Sequence, residues 1–160
     1  MIPRVIFATL LPAVMFAQQP NGAGINPPWT AADVIHVDDL AKIVQAKEKN
    51  APVLLQVGFT VQFDSKHIPG AVHAGPGREE AGLAELKKAV ANVPKDRQIL
   101  LYCGCCPWDH CPNMKPAYSL LHSLGYTKVK VVEIQTSFLK DWVEKGLPVE
   151  GATAGQSVPR

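Results

Sequence analysis

Beyond residue 17 the sequence has no apolar run approaching the ~20 residues that cross a bilayer, so no later segment is expected to span a membrane. It also lacks a charge excess. Sixteen Lys and Arg face fourteen Asp and Glu, a net +2 without the basic field that a nucleic-acid binder presents, and nucleic-acid partners are excluded. No internal repeat or low-complexity tract is present, which excludes a solenoid. Cysteine is missing from the whole chain except one nine-residue stretch, where Cys103, Cys105, Cys106 and Cys111 all lie. Disulfides that staple a fold join distant segments, because they act by closing long loops of the unfolded chain. These four cannot do that. They point to local chemistry: a reactive thiol, a metal site or a redox pair.

What the chain does contain is the make-up of one globular domain. Its 160 residues are 47% hydrophobic and 19% charged, far from the composition of disordered chains. Met1 to Arg4 carries one positive charge, and Val5 to Ala17 is an apolar run of signal-peptide length. Residues 1–17 are therefore expected to be a signal peptide cut after Ala17, with the mature protein periplasmic or secreted and off the membrane. Residues 18–31, polar and rich in Gly and Pro, are expected to be a linker, residues 32–150 the domain, and residues 151–160 a fraying tail. Nothing in the sequence signals an oligomeric state.

Within the domain, short β-branched runs alternate with amphipathic stretches, the pattern of a mostly parallel sheet of about five strands covered by helices. Strands are predicted at Val34 to Val37, Val53 to Val57, Ala71 to Ala74, Ile99 to Tyr102 and Val129 to Ile134. Asp38 is expected to cap a helix bearing Leu40, Ile43 and Val44. A second helix carries Leu83, Leu86 and Val90 and ends before Pro94. A third has Pro116 in its first turn, Leu120, Leu121 and Leu124 on its core face and Gly125 at its end. A last one carries Leu139, Trp142 and Val143 and stops at Gly146. Trp142 reads as core.

In an open α/β sheet ligands bind beyond the carboxyl ends of the strands, and Cys103 directly follows the strand Ile99 to Tyr102. Loop N–H groups and the dipole of the helix near Pro116 are expected to lower its pKa below the free value of ~8.5 and arm it as a nucleophile. Gly104, Trp108 and His110 are the candidate pocket residues beside it, with Trp108 open between pocket wall and surface aromatic. His67, before the third strand, is expected to make a structural hydrogen bond rather than to act in catalysis.

Four stretches together resemble the rhodanese-like sulfurtransferases: Lys66-His67-Ile68-Pro69-Gly70-Ala71-Val72, Leu100-Leu101-Tyr102-Cys103, Ala117 to Val132, and Trp142 to Glu150. The resemblance implies a rhodanese-like three-layer α/β fold and a two-step reaction. Cys103 takes the outer sulfur of a small donor such as thiosulfate as a persulfide, then hands it to cyanide or a thiol acceptor. No cofactor or metal is called for. Cys105, Cys106 and Cys111 are candidates to resolve the persulfide or to form a redox pair within the loop. The chain departs from the family at Gln56 and Gly58, where an Asp and an Arg are usual, and at Ser137 and Phe138, in the place of paired glycines. The loop is also enlarged, with Cys103 standing 14 positions before Ala117. Phosphatases and arsenate reductases of this fold resemble one another in an Arg soon after the nucleophile, whereas here no Arg lies between Arg97 and Arg160; phosphomonoester hydrolysis is set aside.

Three other readings stay open beside sulfur transfer. Cys103 and Cys106 have the C-x-x-C spacing of a dithiol redox pair. Cys103, Cys105, Cys106, His110 and Cys111 offer donors for tetrahedral Zn²⁺, although nine residues are few to wrap a metal. The fold could also serve as a binding module that lacks activity.

Overall fold

A computed structural model describes residues 27–151. The expected leader at residues 1–17, most of the linker and the tail from residue 152 lie outside the described residues. Five strands, β1 (Val34–His36), β2 (Val53–Gln56), β3 (Val72–His73), β4 (Ile99–Tyr102) and β5 (Val129–Glu133), form one sheet in the order β1-β5-β4-β2-β3, every pairing parallel. Helices α1 (Val37–Ala46), α2 (Thr60–Ser65), α3 (Glu80–Ala89) and α4 (Met114–Ser123) connect them, with 3-10 turns at Ala31–Asp33 and Trp108–His110 and a π-helical turn at Leu139–Val143. Among the described residues no helix is long and apolar enough to cross a membrane.

The central strand β4 is buried along its whole length, which is why it reads as the unbroken apolar run Ile99-Leu100-Leu101-Tyr102. Its side chains alternate between two cores. Ile99 and Leu101 join Leu55, Val131, Leu86 and Leu121 under α3 and α4, while Leu100 and Tyr102 join Leu54, Val132, Leu40 and Trp142 under α1 and the π-helical turn. The two stretches that most define the family resemblance meet here. His67 and Glu150 pair as an antiparallel bridge, each N–H donating to the other's carbonyl at 2.8 and 2.9 Å.

Several local expectations are corrected. His36, not Asp38, occupies the N-cap of α1; Asp38 and Asp39 sit in the first turn, where their charge complements the helix dipole. The predicted strands at Val53 to Val57, Ala71 to Ala74, Val34 to Val37 and Val129 to Ile134 are each trimmed at their ends. Helix α2 is new: it buries none of its residues, so it leaves no apolar stripe to read. Of the predicted core face of α4, Leu121 is fully buried, whereas Leu120 and Leu124 are only partly so. The last helix is a short π-helical turn rather than a regular α-helix. The end of the expected linker also belongs to the core, since Trp29 is buried against Trp108 and Tyr118 at ring separations of 5.8 and 5.5 Å.

Candidate active site

Cys103 leaves the carboxyl end of β4, the middle strand of the sheet, with only 4% of its surface exposed. The Val57 N–H donates to the carbonyl of Tyr102 at 2.8 Å, so β2 holds the backbone just before the cysteine. Gly104 then turns the chain with φ +83°, a conformation that side chains resist. A Cβ at that position would stand 2.6 Å from Cβ of Phe138, whose N–H donates to the Gly104 carbonyl at 3.0 Å. Farther on, the Trp108 N–H donates to Ile134 at 2.9 Å, and the 3-10 turn Trp108–His110 folds the loop back so that Cys111 re-enters the core.

The result is a knot of sulfur around Cys105. Its Sγ lies 3.1 Å from Cys103, 3.2 Å from Cys106 and 3.9 Å from Cys111. Asn113, itself 1% exposed, donates from Nδ2 to the Cys103 sulfur at 3.3 Å and accepts the Arg78 N–H on Oδ1 at 3.1 Å. Hydrogen bonds from Cys103 and Cys111 hold the Cys105 thiol far below the usual thiol range. The bond to Cys105, together with burial, pushes Cys103 up to about 11. Cys111 is raised by its bonds to Cys103 and Cys105, and Cys106 by burial and by Cys105. The direction is opposite to the depression expected for Cys103, because the neighbouring Cys105 sulfur and burial both disfavour its thiolate.

Three of the departures from the family pattern, Gln56, Gly58 and Phe138, lie against the cysteine loop. Gln56, 2% exposed, donates from Nε2 to the Cys103 carbonyl at 3.3 Å. Gly58 lies under the thiol, where a Cβ would be 2.5 Å from Gln56 Nε2 and 3.0 Å from Cys103 Sγ, so a side chain there would have to displace the Gln56 amide. Phe138 walls Gly104. Helix α2, absent from the sequence reading, contributes Gln62, whose Nε2 donates to the Gly104 carbonyl at 3.4 Å.

A cleft of about 270 Å³ opens on this side of the sheet, lined among others by Gln62, Lys66, Gly104, Cys105, Ser137 and Phe138. Lys66 is the one charged residue among those lining it. Cys105 faces this space, and Cys103 lies one sulfur behind it.

The other candidates divide. Gly104 lines the cleft as expected. Trp108 is half-buried and packed with Trp29 against the core beneath the loop. His110 does not belong to the pocket: its side chain is 79% exposed and paired with Asp109 at 2.8 Å, because the 3-10 turn directs it outward. His67 is structural, its Nδ1 bonded to the Phe63 carbonyl at 2.7 Å and its ring stacked on Phe63 at 3.8 Å. Asn113, Gln62 and Lys66 were missed as site residues. Only Asn113 had a sequence signal, two positions beyond Cys111 and before an apolar helix.

The backbone at Gly104 supports a direct prediction. Gly104→Ala combines a strained φ with a clash against Phe138, and it is expected to cost about 1–3 kcal/mol. Urea unfolding measures this cost. Thiol labelling of the native variant should show Cys111 more reactive than in the parent.

The sequence profile of the Rhodanese-like domain matches residues 37–134. A crystal structure of an Anabaena sp. protein superposes with a TM-score of 0.57 at 21% identity, covering 73% of this chain and 91% of that one. A Bacillus halodurans protein gives 0.57 at 20% identity, covering 73% and 75%. The solution structure of a Rhodanese-like domain from Anabaena sp. gives 0.55 at 20% identity, covering 80% and 89%. At these identities the likeness is one of fold. No curated protein matches the chain in sequence.

Proposed function

From the fact that this chain belongs to the rhodanese-like domain family, we propose that it is a sulfurtransferase that carries sulfane sulfur as a persulfide on Cys103. The observation that carries the reading is the 3.1 Å contact between Cys103, at the head of the central strand, and Cys105, on the floor of the cleft. In the first step the Cys103 sulfur attacks the outer sulfur of thiosulfate. The S–S bond of the donor breaks, and sulfite leaves with the electron pair and the Cys103 proton, as hydrogen sulfite. In the second step cyanide or an acceptor thiolate takes the outer sulfur, and the released Cys103 thiolate recovers a proton from solvent. Charge and atoms balance over the cycle, and no cofactor is needed. The donor reaches Cys103 by displacing the half-exposed Cys105 side chain. In this reading the leader at residues 1–17 delivers the domain to the periplasm or the exterior.

A second reading has Cys105 itself take the sulfur, and it is favoured by one observation: Cys105, not Cys103, lines the cleft. Mass spectrometry separates the two. Incubation of reduced protein with thiosulfate should add the mass of one sulfur atom, and fragmentation of the loop peptide should place it on Cys103. Sulfur found on Cys105 establishes the second reading, and no sulfur uptake refutes both.

Lys66 supports an anionic donor, because a single cation at the rim of the cleft raises the local concentration of thiosulfate. Lys66→Glu should raise KM for thiosulfate roughly 3–10-fold with kcat little changed. The difference should shrink as salt is added, since the side chain is exposed and its charge is screened. Steady-state kinetics at two ionic strengths checks both points.

A further inference from the structure

We propose that Cys103, Cys105 and Cys111 form a three-coordinate thiolate site for a soft, thiophilic metal ion of the Cu(I) type. The three sulfurs all lie within 4.8 Å of one another. Thiolates bound ~2.3 Å from a common ion stand roughly 4 Å apart, so the Cys105–Cys111 separation of 3.9 Å already fits. The Cys103–Cys105 separation of 3.1 Å needs only a small rotation of the half-exposed Cys105 side chain to open it.

The donor set selects the ion. All three ligands are sulfur, and soft thiolates favour Cu(I) over the harder divalent ions. The tetrahedral arrangement that Zn²⁺ prefers would need a fourth donor. His110, the nitrogen ligand the sequence offered, points into solvent and binds Asp109. Cys106 lies 3.2 Å from the Cys105 sulfur and is not one of the three that converge. A single disulfide would use two of the sulfurs and leave the third unexplained.

The surroundings suit a bound ion. Asn113 orients Cys103 through its Nδ2 at 3.3 Å, the role that outer hydrogen bonds play for metal ligands. The cleft gives entry at Cys105. The objection that nine residues cannot wrap a metal is met by the fold, because Gly104 and the 3-10 turn at Trp108–His110 return Cys111 to the end of β4. Binding releases to solvent the protons of those ligands that are still thiols and involves no redox change. The proposal stands whether or not the domain transfers sulfur, since it requires Cys111, which the sulfur-transfer cycle does not use.

The test is anaerobic titration of the fully reduced protein with Cu(I), kept reduced by ascorbate, in competition with the chromophoric chelator bicinchoninate. The expected result is one Cu(I) withdrawn per chain, with a thiolate-to-copper absorption band in the ultraviolet. Cys105→Ser and Cys111→Ser should each weaken binding by at least about 10-fold, while Cys106→Ser and His110→Ala should stay within a few-fold of the parent. Circular dichroism reports folding; if buried Cys111→Ser does not fold, Cys105→Ser, at a half-exposed position, decides the matter. The proposal is overturned if the parent withdraws no Cu(I), if the Cys105 or Cys111 variant binds as tightly as the parent, or if Cys106→Ser or His110→Ala abolishes binding. Displacement of bound Cu(I) by equimolar Zn(II) would overturn it as well.

Discussion

Cys103→Ser is expected to lower thiosulfate-dependent formation of thiocyanate by roughly 10³-fold or more, because a serine oxygen cannot hold a persulfide. The substitution keeps the size of the side chain and leaves β4 and its pairings with β2 and β5 untouched. It alters the sulfur's contacts to Asn113 and Cys105, so stability should change by about 1 kcal/mol. Loss of activity with a near-parental urea midpoint therefore identifies chemistry rather than unfolding. Cys106→Ser is the matched control: its sulfur approaches Cys105, at 3.2 Å, and has no hydrogen bond to Cys103, so the activity should fall no more than a few-fold. Sulfur uptake that survives in Cys103→Ser and disappears in Cys105→Ser would move the carrier to Cys105. That outcome would mean that the enlarged loop has shifted the nucleophile toward the cleft.

Trp142→Ala should give the largest loss of stability, about 3–5 kcal/mol. Trp142 is 0% exposed and fills the space beneath β4 and α1, so its removal leaves a cavity among Leu40, Leu100, Tyr102 and Phe138. It also leaves the Pro148 carbonyl without the 2.7 Å bond from Trp142 Nε1. With a slope of roughly 2 kcal/mol per molar urea, the unfolding midpoint should drop by about 2 M. The effect should extend to the thiols. Phe138 packs against Trp142 at 6.3 Å and holds the Gly104 carbonyl through its N–H, so loss of the tryptophan loosens the wall of the cysteine loop. Alkylation of native protein should show Cys103 and Cys111 labelled faster than in the parent. Leu139→Ala, on the same turn but 54% exposed, should shift stability by no more than about 0.5 kcal/mol.

The amino-acid sequence by itself determined the class of fold and the place of the cysteine loop at the end of the central strand. Strand β4 was read at its true limits because a strand buried on both faces has no alternation to misread and is bounded by Arg97-Gln98 and by the cysteines. Helices α3 and α4 followed from apolar spacing, and the resemblance to the rhodanese-like family rested on segments whose order the fold preserves. Tertiary structure decided everything that depends on where side chains point. Linear spacing made Cys103 and Cys106 the natural pair; the left-handed turn at Gly104 and the 3-10 turn instead make Cys105 the centre and bring Cys111 back from six positions away. The same turns send His110 into solvent. Helix α2 escaped notice because it buries nothing, yet it brings Gln62 to the loop. Nor could the sequence reveal which sulfurs meet, since separations of 3.1 to 3.9 Å around Cys105 exist only once the loop is folded.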